Sequence, residues 1–141
     1  MHPHDKLKKP HYGTDFAVPI GTPIKSPVNG TVVRNDNIGA SGNRVAIYDD
    51  TTKTEHHFYH MESPSPLSKG SKVTQGQEVG LSGNSGKTSD GVPYNPHVHY
   101  ETRDKSKYGP GEDGWKEGVT EPKQEDLDYL DKQFTDIHGC R

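Results

Sequence analysis

Cysteine occurs once in the 141 residues, at Cys140. That excludes a disulfide within the chain and a thiolate-based zinc cluster. Long apolar runs are missing too, and no stretch approaches the ~18 residues that cross a membrane as a helix. Hydrophobic residues are 26% of the chain, and the 16 glycines raise the apolar share to about 37%, short of the usual ~45–50%. A thin core and long loops are expected. No charge of one sign dominates: 17 Lys+Arg against 20 Asp+Glu give a net −3 with the signs interspersed. No basic stripe therefore points to nucleic acid or to an anionic membrane surface. The opening Met1-His2-Pro3-His4-Asp5-Lys6-Leu7-Lys8-Lys9-Pro10 holds no apolar stretch, so no signal peptide is predicted. The chain is expected either not to be exported by that route or to be a piece of something longer.

What is abundant is glycine, proline and histidine: 16, 11 and 9 residues. The length suits one domain. Residues 16–103 read as short strands between turn signals, with no helical period among them. Pro27-Val28-Asn29-Gly30 is a turn leading into the β-branched Thr31-Val32-Val33. Asn43 to Tyr48 and Thr54 to Met61 form a hairpin joined by Asp49-Asp50-Thr51-Thr52-Lys53. Val73 to Leu81 is a pair of strand ends around a glycine turn, and His97 to Arg103 alternates. This pattern predicts an all-β, mostly antiparallel sheet or sandwich. One amphipathic helix is predicted over roughly 122–137, from Leu127, Leu130, Phe134 and Ile137, with Pro122 in the first turn, Thr120 as cap and Gly139 as stop. The expected organisation is a domain over 1–121 and a C-terminal helix and tail over 122–141.

The histidines invite a search for metal-ligand spacing. On a straight strand His11 and Asp15 would stand about 13 Å apart at ~3.3 Å per residue, so one ion requires a bend, which Gly13 permits. Chance also produces such a pair. His97 and His99, two apart, stand on one strand face with Val98 turned to the other; two solvent-facing histidines would show the same pattern. His56, Phe58 and His60 are expected to share a face, with Tyr59 pointing away, and His56 and His57 are expected at the surface. Two histidines and one aspartate complete a three-ligand zinc set with a fourth position left for water, as in catalytic sites. No H-E-x-x-H is present, so a helix-borne zinc site is not indicated.

Several segments, in order, carry a resemblance over residues 2–103. They are His2-Pro3, His11-Tyr12-Gly13-Thr14-Asp15-Phe16-Ala17-Val18-Pro19, Ser26-Pro27-Val28-Asn29-Gly30-Thr31-Val32, Tyr59-His60-Met61, Val73-Thr74-Gln75-Gly76-Gln77-Glu78-Val79-Gly80, Gly83-Asn84-Ser85-Gly86 and His97-Val98-His99-Tyr100-Glu101. The chain resembles the lysostaphin/LytM-type zinc metalloendopeptidases that cut bacterial peptidoglycan peptides. The resemblance implies a β-sheet with an active-site groove and Zn2+ as cofactor. It implies His11, Asp15 and His99 as metal ligands, and His60 and His97 as the catalytic histidines that share general-base and oxyanion roles, in either order. The implied partners are peptidoglycan peptides outside the cytoplasmic membrane, with no nucleic acid and no membrane insertion. Such a substrate lies outside the membrane while no export sequence is visible, so a phage tail or lysin component, or a fragment of a larger exported protein, is the expected setting.

Two departures from the family pattern stand out. The strand that usually precedes His-Pro is absent, and the loop Ser82 to Pro96 is long, so that Tyr94 and Asn95 are expected to overhang the groove and touch substrate. The competing readings are a catalytically inactive peptidoglycan-binding or activator module of the same fold, and a lipoyl- or biotinyl-carrier-like sandwich. The carrier reading is poor because its only hairpin lysine, Lys53, lies among threonines.

Overall fold

The computed structural model describes residues 14–37, 39, 42–86, 95–106, 119–120 and 122–138. The strand signals of the sequence become nine strands: β1 (Thr14–Phe16), β2 (Pro23–Lys25), β3 (Gly30–Asn37), β4 (Asn43–Asp49), β5 (Thr54–Met61), β6 (Lys72–Val73), β7 (Glu78–Leu81), β8 (Val98–Asp104) and β9 (Val119–Thr120). They form an antiparallel sheet in the order β1-β8-β5-β4-β3-β6, with β9 also on β8, and a two-stranded sheet β2-β7. The all-β expectation holds. The β4–β5 hairpin forms as predicted, closing at Asp49↔Thr54. The two strand ends around Gly76 do not pair with each other: β6 joins β3, and β7 joins β2.

Period-2 alternation gives the main sheet two different faces. One contributes Phe16, Val32, Val45, Ile47, Phe58, Val98 and Tyr100 to the core, together with Val79 and Ile24 of the small sheet. The other carries Glu55, His57, Tyr59, His99, Glu101 and Arg103. These residues interact through the Glu55–His57, Tyr59–His99, His99–Glu101 and Arg103–Tyr59 contacts.

The predicted helix is present as α1 (Gln124–His138), with Glu125 and Asp126 in its first turn, where negative charge suits the N-terminal end of the helix dipole. Leu127, Leu130 and Phe134 are buried and join the core, and the Phe134 ring lies 5.3 Å from that of Phe16. Gln133 adds a polar anchor: its Oε1 accepts from the Lys25 amide at 2.9 Å and its Nε2 donates to the Lys25 carbonyl at 3.0 Å. The side-chain amide thus serves β2 as a short substitute strand. Thr120 is not the cap. It lies in β9, where its carbonyl accepts from Thr102 Oγ1, and the first helical amides turn back to the Lys123 carbonyl instead. Gly139 and Cys140 lie outside the described residues. No helix among the described residues is long and apolar enough to cross a membrane.

His56 and His57 are not surface residues; they are 1% and 0% exposed. They sit on β5, which lies between β4 and β8 with both faces covered, so alternation cannot bring either one to solvent. The Tyr100 hydroxyl lies 2.6 Å from His56 Nδ1, and His57 Nε2 lies 2.7 Å from Glu55 Oε1. Burial lowers both pKa values to about 4, and Arg103 opposes protonation of His57 further.

Two stability predictions follow from this packing. Leu130→Ala empties a fully buried position under the helix and is expected to cost about 2–5 kcal/mol in urea unfolding. For His56 the folded-state pKa lies below the unfolded value of ~6.5, so the unfolded chain takes the proton first as pH falls. Its contribution is complete above about pH 6.5 and is lost progressively as pH drops toward about 4. Urea unfolding at several pH values between 4.5 and 7 is therefore expected to give a shallower fall in stability for His56→Gln than for the unaltered chain, by up to ~1.4 kcal/mol per pH unit. Equal slopes would contradict a buried neutral His56.

Candidate active site

Three strands bring four of the predicted residues together. Asp15 of β1 is registered against His99 of β8, and His99 against Tyr59 of β5. Asp15 Oδ1 lies 2.7 Å from His99 Nδ1 and 3.8 Å from His97 Nε2. The His60 ring lies 4.7 Å from that of His97 and 6.5 Å from that of His99, centroid to centroid. His97 and His99 share a side as expected, with Val98 buried in the core behind them.

His60 reaches this cluster through a backbone irregularity. Phe58 pairs with Val45 and Met61 with Asn43, so β5 spends three steps where β4 spends two. His60 adopts φ 64°, a left-handed conformation uncommon for a non-glycine residue. The extra residue of such a bulge reverses the alternation. Phe58 and Met61 both enter the core, while Tyr59 and His60 both turn to the histidine side. The expectation that His56, Phe58 and His60 share a face is therefore corrected, because strict period 2 does not survive the bulge.

Both catalytic candidates are tethered through Nδ1 to backbone carbonyls: His60 to Ser85 O at 2.8 Å and His97 to Asn95 O at 2.7 Å. Donation from Nδ1–H fixes the neutral tautomer with the lone pair on Nε2. The Ser85 loop is held against the start of β4, where its hydroxyl accepts from the Asn43 amide and donates to the Met61 carbonyl. Gly42 permits this approach: its φ is 72°, and a Cβ there would lie 2.5 Å from the Ser85 carbonyl oxygen.

Burial lowers the His60 pKa to about 4, against the pull of the Ser85 carbonyl and with the neighbouring His97 and His99 adding to the drop. Burial also disfavours charge on His99, but the carboxylates of Asp15 and Glu101 outweigh it and raise its pKa to about 9. Glu101 itself is lowered despite burial, because His99 stands beside it. Burial pushes the Tyr59 hydroxyl up to about 12.

Asp15 and His99 offer an oxygen and a nitrogen converging on one point. Two donors on one tetrahedral zinc stand ~3.3 Å apart at bond lengths of ~2.0–2.2 Å, so a small opening of the 2.7 Å Asp15–His99 contact admits an ion. No three His, Cys, Asp or Glu side chains among the described residues form such a group by themselves, and His11 lies outside the described residues. So does Tyr94. Asn95 is present and exposed, and its carbonyl holds His97. The polar partners Tyr59, Glu101, Arg103 and Ser85 received no role from the sequence, although Glu55-x-His57-x-Tyr59 and His99-x-Glu101-x-Arg103 already showed a polar period of 2. A separate cavity of about 360 Å3, lined by Asp49, His56, Thr102, Lys123 and Asp126 among others, contains none of the site histidines.

The geometry agrees with what comparison finds. The model of peptidase family M23 matches residues 9–109. The peptidoglycan DD-endopeptidase ShyA of Vibrio cholerae is 43% identical over 101 residues, covering 72% of this chain and 22% of the relative. The chain thus spans about a fifth of the length of that relative. Among solved structures, the catalytic domain of lysostaphin from Staphylococcus simulans has a TM-score of 0.63 at 25% identity, covering 92% of this chain and 86% of that one. The catalytic domain of a prophage-encoded M23 protein, EnpA of Enterococcus faecalis, gives 0.61 at 32% identity, over 86% and 91% of the two chains. With most of its length matched by the family model and its fold shared with these peptidases, the chain belongs to peptidase family M23.

Proposed function

We propose that the chain is a zinc-dependent endopeptidase that hydrolyses peptide cross-links of bacterial peptidoglycan, with residues 1–121 as the catalytic domain and 122–141 as its C-terminal helix and tail. The observation that carries this reading is the convergence of Asp15, His60, His97 and His99 from three strands onto one face. Glycine bends and isolated histidines do not by themselves require such a meeting.

In this reading His11, Asp15 and His99 hold the metal. Bound zinc supplies a Lewis acid and makes water acidic enough to attack near neutral pH. The remaining work falls to the chain's own groups. His60 and His97 carry their lone pairs on Nε2, because each Nδ1–H is committed to a carbonyl. One Nε2 takes the proton from the attacking water, and the other, which must itself first be protonated, then donates to the developing oxyanion or delivers that proton to the leaving amine. Asp15, at 40% side-chain exposure, keeps the site open toward a bulky polymeric substrate. Tyr94 and Asn95 contact the peptide from the long loop.

The substrate is supported by the relative named as a peptidoglycan DD-endopeptidase and places the action on the cell wall, outside the cytoplasmic membrane. A phage tail or lysin role is supported by the similarity to a prophage-encoded M23 domain of nearly the same extent. The remainder of a larger parent protein or tail assembly is then the structural partner.

The test is digestion of purified sacculi of several cross-link types, with mass spectrometry of the soluble products. New amino termini that vanish with a chelator are expected. His97→Ala and His60→Ala are each expected to slow release by about 10²–10⁴-fold while one zinc per chain is retained. Asp15→Ala is expected to lose the zinc itself. A chain that holds one zinc yet cuts no sacculus would refute the hydrolytic reading.

A further inference from the structure

His99 faces a carboxylate at each ring nitrogen. Nδ1 lies 2.7 Å from Asp15 Oδ1, and Nε2 lies 3.7 Å from Glu101 Oε1. The two carboxylates differ in setting, with side-chain exposures of 40% for Asp15 and 15% for Glu101. Asp15 stands at the mouth of the site, and Glu101 stands behind it. Glu101 shares His99's side of β8 because it is two residues further along.

Glu101 is itself held. Its carboxylate lies beside the Tyr59 hydroxyl, which accepts from Arg103 Nη2 at 3.1 Å. The Tyr59 ring packs against His99 at 5.4 Å between centroids. Arg103, Tyr59, Glu101, His99 and Asp15 therefore form one continuous polar chain from the sheet interior to the opening.

An imidazole that gives one nitrogen to a metal carries its proton on the other, and that N–H needs an acceptor. Glu101 is the carboxylate within reach of that nitrogen, on the side of the ring away from Asp15. We propose that Glu101 is a positioning residue: its carboxylate takes the His99 Nε2–H, turns Nδ1 toward the cation beside Asp15, and is kept in place by Tyr59 and Arg103. It touches neither substrate nor reacting atoms and acts only through His99. This rests on the zinc reading above.

The experiment is zinc affinity of the full chain by competition with a chromophoric chelator, without any substrate, for the unaltered protein, Glu101→Ala and Glu101→Gln. The visible spectrum of the cobalt-substituted forms is recorded beside it. Glu101→Ala is expected to weaken zinc binding about 10–100-fold and to alter the cobalt spectrum. Glu101→Gln keeps an acceptor oxygen and is expected to lose only a few-fold, with most of the native spectrum restored. Melting of the zinc-free forms identifies a variant that fails to fold. Should Glu101→Ala be one, Glu101→Leu, of similar size but without an acceptor oxygen, takes its place, and its native affinity with a native spectrum overturns the proposal. Native affinity in a folded Glu101→Ala overturns it equally, while leaving the zinc reading intact. An unaltered chain that binds no zinc overturns both.

Discussion

The pairing of β1 with β8 is the constraint on which the site depends. β1 has only three residues, and its register sets Asp15 opposite His99. A slip of one residue would turn Asp15 to the core face and bring Thr14 or Phe16 into its place, because side chains alternate. Phe16 resists that slip, since its ring is buried against Phe134 of the helix. The C-terminal helix, outside the part of the chain matched by the family model, therefore helps to fix where the aspartate points. The Gln133 amide pins β2 to the same helix.

The main sheet divides its labour between faces. One is an apolar layer shared with the helix and the small sheet. The other is a buried polar layer in which Glu55 meets His57, Arg103 donates through Nη2 to Tyr59 and Glu101 faces His99, while Arg103 Nε has no hydrogen-bond partner among the described residues. Burying such groups is costly unless each finds a partner, and here the partners form a chain that ends at His99. That arrangement accounts for a modest apolar content without a large sheet face left to solvent. It also keeps the imidazole at the site from rotating freely, because carboxylates bracket it from both sides.

The bulge at His60 is the second device. A left-handed non-glycine residue costs on the order of 1–3 kcal/mol, and it persists because the Ser85 carbonyl holds the ring while Met61 fills the core. The result is a histidine from β5 beside His99 of β8 and His97 just before it, on a side that a regular strand would not have given it.

Much of this was legible in the residues. Alternation and turn chemistry determined the β class, the β4–β5 hairpin and the amphipathic helix, because periodicity and glycine placement act locally. The ordered motifs determined the family and named Asp15, His60, His97 and His99. Other features were not local. Whether β6 and β7 would pair with each other, whether Thr120 would cap a helix or join a strand, and whether His56 and His57 would reach solvent all depended on which strands became neighbours. The face taken by His60 depended on an added residue that only its partner strand reveals. The assignment of Glu101 and Tyr59 to the back of the site likewise required β5 and β8 to be placed side by side. Sequence specifies what each residue prefers within a few positions of itself; the sheet register decides which of those preferences meet across sixty or eighty positions, because the hydrogen bonds and core contacts that set it join segments far apart in the chain.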